Sequence, residues 1–434
     1  MNIPKRVGAA ILNSLAAGVV PRIGLEFLAV GRKREFEAAL RDLMNLQAGA
    51  ASFRFVTGRY GSGKSFFLQA IRNYALENDF VTADADLSPE KRLAGSHRGG
   101  LETYRELMQR LATKPRPEGG ALEVILQKWI NALKLEVLRE GVQAGEEKFP
   151  SLVEWKIFET IAEMKNFAHG FDFAEVISTY FKAYLEGSDE RREASLRWLR
   201  GEFASKTEAR QYLHVGEIIT DETWYEYLKL LAVFCTRIGY RGLLVFIDEC
   251  INLYKIANRQ ARENNYEKLL AMFNDILQGK AQSLGIYMAG VPQFIEDERR
   301  GLFSYPALKS RLAESRFVRD GYADLGSPVI RLAQLSQEEI YVLLERLTEI
   351  HAGHFGYAPR LGERELTRFL ELVLSAPGAA EFITPREIAR DFLSLLNILN
   401  DDRDADFYSL INRQGYGSRS RGQEDGNPYA EFDL

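Results

Sequence analysis

Residues Gly58-Arg59-Tyr60-Gly61-Ser62-Gly63-Lys64-Ser65 constrain this chain more than any other stretch. They fit G-x-x-x-x-G-K-[ST] and stand between an apolar run, 51–57, and an amphipathic run, 64–77, which read as a strand and a helix. Backbone N–H groups of such a turn wrap phosphate oxygens, and the helix N-terminus favours the anion. The candidate nucleotide-binding residues are therefore Gly58, Arg59, Tyr60, Gly61, Ser62, Gly63, Lys64, Ser65 and Phe66. Lys64 is placed to reach the β- and γ-phosphates, and the Ser65 hydroxyl to bind Mg²⁺. The plain alternative, a chance glycine-rich turn, does not explain why strand and helix stand in register around it.

A site of this kind needs an acid at the end of a second strand. Leu243-Leu244-Val245-Phe246-Ile247-Asp248-Glu249 supplies one. Asp248 is the candidate Mg²⁺ ligand through water, as carboxylates are for an ion that sheds water reluctantly. Glu249 is the candidate general base for the attacking water, which separates a hydrolase from a nucleotide holder. Standing alone, the pair would read as a helix cap.

Further strands are expected at 79–83, 285–289 and 329–332, so five strands alternate with helices and imply a parallel sheet with covered faces. From 88 to about 240 apolar residues recur at spacings of three and four, the mark of a helical insert. Its aromatics Trp155, Phe158, Phe167, Phe171 and Phe173 read as insert core rather than a base-stacking platform.

Phosphoryl transfer also needs cations on the developing charge. Arg311, on a short helix before the fifth strand, suits a finger delivered to a neighbouring subunit; Arg316 is a rival, and a surface arginine the plain reading of either. Thr384-Pro385-Arg386 opens a helix with threonine at the cap and proline at the first position, which puts Arg386 in the first turn, within reach of a γ-phosphate or simply solvated. His351 and His354 lie three apart without an evident third metal ligand. Cys250 reads as a packing residue.

Lys+Arg 56 against Asp+Glu 61 leaves a net charge of −5, which argues against a generally basic surface while leaving room for a local nucleic-acid contact. Two cysteines make no disulfide framework. No apolar run approaches the roughly 20 residues that span a bilayer, and the N-terminus lacks a secretory leader pattern. A soluble, cytoplasmic protein with no membrane partner is expected.

With these motifs, the five strands, the inserted helices and the all-helical C-terminal segment, the chain looks like the AAA+ ATPase fold and is similar to its origin-recognition and replication-initiator branch. Gly18-Val19-Val20-Pro21 with Val30-Gly31-Arg32, the loop Gly58–Ser65, Ile247-Asp248-Glu249, Asn252-Leu253-Tyr254-Lys255, residues 274–279 and 300–305, and Thr384-Pro385-Arg386 resemble the ATP-binding proteins of the BREX phage-defence type. The resemblance covers residues 5 to about 400 and is loosest between 110 and 230. It implies an adenine pocket lined by Val20, Pro21, Val30, Gly31 and Arg32, Arg311 as the finger, and Arg386 as a sensor on a helical lid. It implies partners as well: a homo-oligomer, and helicase or TerB-like proteins of anti-phage clusters. The fourth strand departs from the pattern, ending Met288-Ala289-Gly290-Val291-Pro292 where AAA+ proteins often carry a polar sensor. No winged-helix domain is expected after the lid.

The expected organisation is α/β: an N-terminal segment 1–45 bearing the adenine pocket; a P-loop core 46–332 with a five-stranded parallel sheet and a large helical insert at about 88–240; a C-terminal helical lid 333–400; and a flexible tail 401–434 whose last six residues suit a docking peptide or a frayed end. The expected function is Mg²⁺-dependent ATP hydrolysis coupled to remodelling or gating of a nucleic-acid-directed defence complex. A second reading is an ATP-dependent switch or scaffold with slow hydrolysis. A third, a small-molecule kinase, fits poorly beside the Asp-Glu pair.

Overall fold

The computed structural model describes residues 3–95, 98–316, 318, 324–375, 384–402 and 404–412. Along the chain, α1 (Lys5–Ala16), α2 (Leu25–Leu28) and α3 (Lys33–Gln47) precede β1 (Ser52–Thr57), and α4 (Lys64–Glu77) leads to β2 (Val81–Asp86). Seven helices follow: α5 (Gly99–Gln109), α6 (Leu122–Arg139), α7 (Lys148–Ala162), α8 (Gly170–Glu186), α9 (Asp189–Leu199), α10 (Lys206–Leu213) and α11 (Trp224–Arg237). Next come β3 (Leu243–Asp248), α12 (Ile251–Tyr254), α13 (Arg259–Leu277), β4 (Leu284–Gly290), α14 (Pro292–Glu296), α15 (Pro306–Leu312) and β5 (Val329–Arg331). The last helices are α16 (Gln337–Phe355), α17 (Glu363–Ser375), α18 (Pro385–Asp401) and α19 (Phe407–Asn412).

These elements form two compact units, one from Met1–Lys33, Arg59–Phe66 and Leu332–Leu434, the other from Arg34–Gly58 and Phe67–Arg331. Each has its own hydrophobic core.

The second unit holds the sheet, five strands in the order β2-β3-β4-β1-β5, paired in parallel throughout. A parallel sheet is covered on both faces, and its strands are accordingly near-continuous apolar runs: all of β4 and β3 up to Ile247 are buried. Arg54 interrupts β1. Its guanidinium makes two 2.7 Å bonds to Asp42 of α3, whose carboxylate also accepts from the Tyr287 hydroxyl at 2.9 Å. Burial alone would depress the Arg54 pKa; its bond and charge interaction with Asp42 more than reverse this and raise it.

The second strand differs from its expected position at 79–83. Asp79 adopts φ 60° as the chain leaves α4, with Phe80 N–H donating to Ala75 O at 3.0 Å, so the strand begins only at Val81. It then runs to Asp86 because it stays in register with β3, Asp86 opposite Asp248.

Helices α5 to α11 bury Phe173, Tyr180, Phe181, Trp198, Trp224 and Tyr227 almost completely. Phe234 meets Trp129 edge-on at 5.1 Å and Phe173 at 5.9 Å. The expected aromatic core is corrected here. Phe173 is 1% exposed and Phe167 is half-buried against the core, but Trp155, Phe158 and Phe171 are 58%, 36% and 61% exposed. The reason is helical register. On α7 the inward residues are Phe149, Val153, Ile157 and Ile161, four apart, and a stripe of that spacing turns Trp155 and Phe158 outward. Lys182 stands 5.6 Å from the Phe158 ring centre, and Lys165 the same distance from that of Phe171.

In the first unit, α1, α16, α17 and α18 pack around Ile11, Leu344, Leu347, Phe369, Phe392 and Leu396. α18 opens with a capping box: the Thr384 hydroxyl accepts from Glu387 N–H at 3.3 Å, the Glu387 carboxylate accepts from Thr384 N–H at 2.9 Å, and Pro385 takes the first position. Helical order continues past residue 400, where a polar tail was expected: α19 buries Phe407 against this core. Residues 413–434, with the docking-peptide stretch, lie outside the described residues.

Candidate functional site

Because every strand pairing is parallel, β1, β3 and β4 end at one edge of the sheet. β4 lies between the other two, which puts the ends of β1 and β3 about 10 Å apart, two strand spacings. Open α/β sheets bind ligands outside the carboxyl ends of their strands. β1 ends at Thr57, one residue before the buried Gly58, and β3 ends at Asp248.

The acid pair forms a tight turn. Asp248 is half-buried and Glu249 exposed. Glu249 adopts φ 56°, a left-handed conformation costly for a residue with a side chain, while its N–H donates to Asp248 Oδ1 at 2.8 Å. Backbone strain of this kind clusters at functional sites. Cys250 follows, fully buried, with its N–H on Ala289 O of β4 at 3.0 Å. Burial first, then the charges of Asp248 and Glu249, push its thiol pKa well up, so it stays protonated and packs. Asn252, named from the sequence only within a resembling segment and given no role there, donates through its side-chain amide to Leu87 O at 2.8 Å and Glu249 O at 3.2 Å. Its signal is local: an asparagine three residues after a turn reaches back to the backbone.

The end of β4 gives the missing polar sensor a steric reason. A β-carbon on Gly290 would lie 2.9 Å from Phe294 Cδ1 and 3.4 Å from Cys250 Cβ, so the position has no room for a polar side chain. Arg311, on α15, is exposed; its Nε donates to Asn274 Oδ1 at 3.1 Å and its Nη1 to Ala307 O at 2.7 Å. Arg316 is exposed in the turn beyond α15.

The phosphate loop 59–66 belongs to the first unit, with residues 18–32 and the C-terminal helices. α4 begins at Lys64, so the loop amides stand at a helix N-terminus. Lys64 Nζ donates to Arg59 O at 3.0 Å. Gly61 adopts φ 75°, and a β-carbon there would collide with Thr384; only glycine satisfies both conditions. Ser62 is 2% exposed, and its hydroxyl has no hydrogen-bond partner among the described residues. Tyr60, Gly63 and Ser65 are exposed, while Lys64 and Phe66 are half-buried. A helix start, a glycine cradle and an orphaned hydroxyl fit a nucleotide's phosphates.

Arg32, at φ 61°, donates to Ser62 O at 3.1 Å and also to Ala333 O. Arg346 donates to Ala29 O, and Gly31 lies against Glu339. Val30 packs on the unit's core, Pro21 is buried and Val20 half-buried. Arg386 is exposed in the first turn of α18, and a β-carbon on Gly18 would lie 4.0 Å from its Cδ. The first unit thus gathers the loop, the N-terminal segment and Arg386; the second holds Gly58, Asp248, Glu249 and Arg311.

His351 is buried, with Nδ1 bonded to the Tyr357 hydroxyl at 2.6 Å and Nε2 to Asn397 Oδ1 at 2.9 Å. Both ring nitrogens are used in packing. Among the described residues no group of three or more His, Cys, Asp or Glu forms a metal cluster, and no helix is long and apolar enough to cross a membrane.

Comparison with curated proteins finds no match. The family model described as BREX system ATP-binding protein BrxC/D matches residues 3–415, and the chain belongs to that family.

Proposed function

We propose that this protein is an AAA+-type ATPase that couples binding and hydrolysis of Mg·ATP to remodelling or gating of a nucleic-acid-directed complex in bacterial phage defence. Family membership brings ATP binding and a place in phage defence. The observation that carries hydrolysis is the strained Glu249, beside Asp248, at the sheet edge where β1 and β3 both end.

In this reading the amides from Gly58 to Ser65 wrap the phosphates, Lys64 neutralises the β- and γ-phosphates, and Val20, Pro21, Val30, Gly31 and Arg32 border the base. Ser65 and Asp248 would hold Mg²⁺, Asp248 through water, and the ion would screen the phosphate charge. Glu249 takes a proton from water as the water oxygen bonds to the γ-phosphorus; the bond to the bridging oxygen breaks, leaving ADP and phosphate. Arg311 of a neighbouring subunit and Arg386 stabilise the charge that develops. The setting is the cytoplasm, in a homo-oligomer, with helicase or TerB-like proteins as candidate partners and nucleic acid met locally or indirectly.

The filled end of β4 supports a second reading: slow hydrolysis that resets an ATP-bound scaffold. A turnover assay with and without DNA separates the two, because a DNA-driven motor is stimulated and a scaffold is not. Glu249→Gln should retain ATP and stop turnover; hydrolysis at the wild-type rate removes Glu249 as the base. Lys64→Ala should lose nucleotide affinity; undiminished binding in calorimetry removes the phosphate-loop assignment.

A further inference from the structure

A residue held in a strained backbone conformation keeps it only where its surroundings over-determine it, so the ties on Glu249 show what sets the direction of its carboxylate. On the β2 side, Leu87 N–H donates to Asp248 O at 3.1 Å; on the β4 side, Cys250 N–H donates to Ala289 O at 3.0 Å. The Glu249 N–H is taken by Asp248 Oδ1. The one remaining backbone group, the Glu249 carbonyl, accepts twice from a single residue: from Asn252 N–H at 3.0 Å and from Asn252 Nδ2 at 3.2 Å. The same Nδ2 donates to Leu87 O at 2.8 Å. A primary amide has two N–H donors, and here two carbonyls, Leu87 O on the β2 side and Glu249 O in the turn itself, meet them.

Leu87 is a firm anchor. It is buried, and the segment after it is pinned: Leu93 and Ala94 N–H donate to Asn265 Oδ1 at 2.9 and 3.0 Å, and Gly95 and Gly100 N–H donate to the Asp221 carboxylate at 2.8 and 2.7 Å.

We propose that Asn252 is a positioning residue for water activation: its side-chain amide clamps the Glu249 carbonyl to Leu87 and so fixes the left-handed turn from which the Glu249 carboxylate projects. Asn252 acts through Glu249 and touches no substrate. The proposal rests on the reading of Glu249 as the base.

Asn252→Asp keeps the shape but sets acceptors against two carbonyls; Asn252→Ala removes the clamp without adding charge. In the full-length protein, both should lower kcat at least tenfold while calorimetric ATP affinity stays within twofold and the melting temperature stays near wild type. Asn252→Gln, which keeps the amide, should recover part of the loss. In hydrogen exchange, the peptide spanning 248–252 should lose protection in Asn252→Ala while α13 keeps its own, a readout that needs no turnover. Unchanged exchange at 248–252, or kcat within twofold of wild type, overturns the clamp. A joint fall of kcat, affinity and melting temperature also overturns it, since Asn252 then only supports the fold. If Glu249→Gln itself hydrolyses ATP normally, the base assignment has failed, and that variant shows it independently.

Discussion

Arg32 donates to the carbonyl of Ser62 at 3.1 Å, joining segments 30 residues apart. The described chain has no cis peptide bond. In a trans planar peptide the C=O of Ser62 and the N–H of Gly63 point in opposite directions. By holding the Ser62 carbonyl, Arg32 turns the Gly63 N–H to the other side of the loop, and its bond to Ala333 O ties the loop to the start of the C-terminal helices.

Removing Arg32 should therefore disorder the phosphate cradle. A hydrogen bond from a charged group contributes about 1.5–3 kcal/mol, so Arg32→Ala should weaken ATP binding by about tenfold or more. Arg32→Lys should not restore it, because both bonds leave a single guanidinium Nη2, and the shorter lysine side chain ends one bond short of that position. Calorimetry with ATP decides: an unchanged Kd in both variants rejects this role.

Arg311 is exposed and braced by Asn274 and Ala307 within its own chain, as suits a cation presented outward. Mixing Arg311→Ala subunits with Glu249→Gln subunits should restore part of the ATPase rate, because one interface in the mixture then pairs an intact base with an intact arginine. Absence of rescue between folded, co-assembling variants would place Arg311 in a cis or purely structural role.

The insert aromatics should divide by exposure. Phe173→Ala opens a cavity in a packed core and should cost about 3–5 kcal/mol. Trp155→Ala, at a position 58% exposed, should stay within about 0.5 kcal/mol of wild type. Comparing urea midpoints of the two variants tests the corrected register of α7, and equal losses would contradict it.

The pKa of His351 is lowered from its ordinary 6.5, by burial first. The unfolded chain therefore binds the proton more readily than the folded one, and stability must rise with pH across the interval between the two values. The contribution of His351 is present in full above about pH 6.5 and is lost as pH falls from there to the depressed folded value. His351→Gln should remove that slope from thermal melts taken just below pH 6.5; an unaltered slope would assign it to another group.

Much of this was legible because it is local. The glycine pattern 58–65 lies on one covalent stretch, its helix starts at Lys64 as the periodicity implies, and five apolar runs became five parallel strands. The capping box at Thr384 needs only residues three apart. What escaped was set by long-range partners. β2 begins late because of Asp79 and ends late because of β3. The aromatic spacing in α7 fits either of two helix faces, and the aliphatic stripe from Val153 to Ile161 takes the buried one.

By itself, the sequence determined the chemistry on offer: a phosphate loop, an Asp-Glu strand end, and cations at known positions along the chain. Tertiary structure alone decided how these are held. It placed β4 between β1 and β3, filled the end of β4 with Phe294, gave the Glu249 carbonyl to Asn252 and Leu87, and sent the Arg32 guanidinium to Ser62. The physical reason is range. Propensity and periodicity act over a few residues, whereas a hydrogen bond between Leu87 and Asn252, 165 residues apart, exists only once the sheet has brought them together.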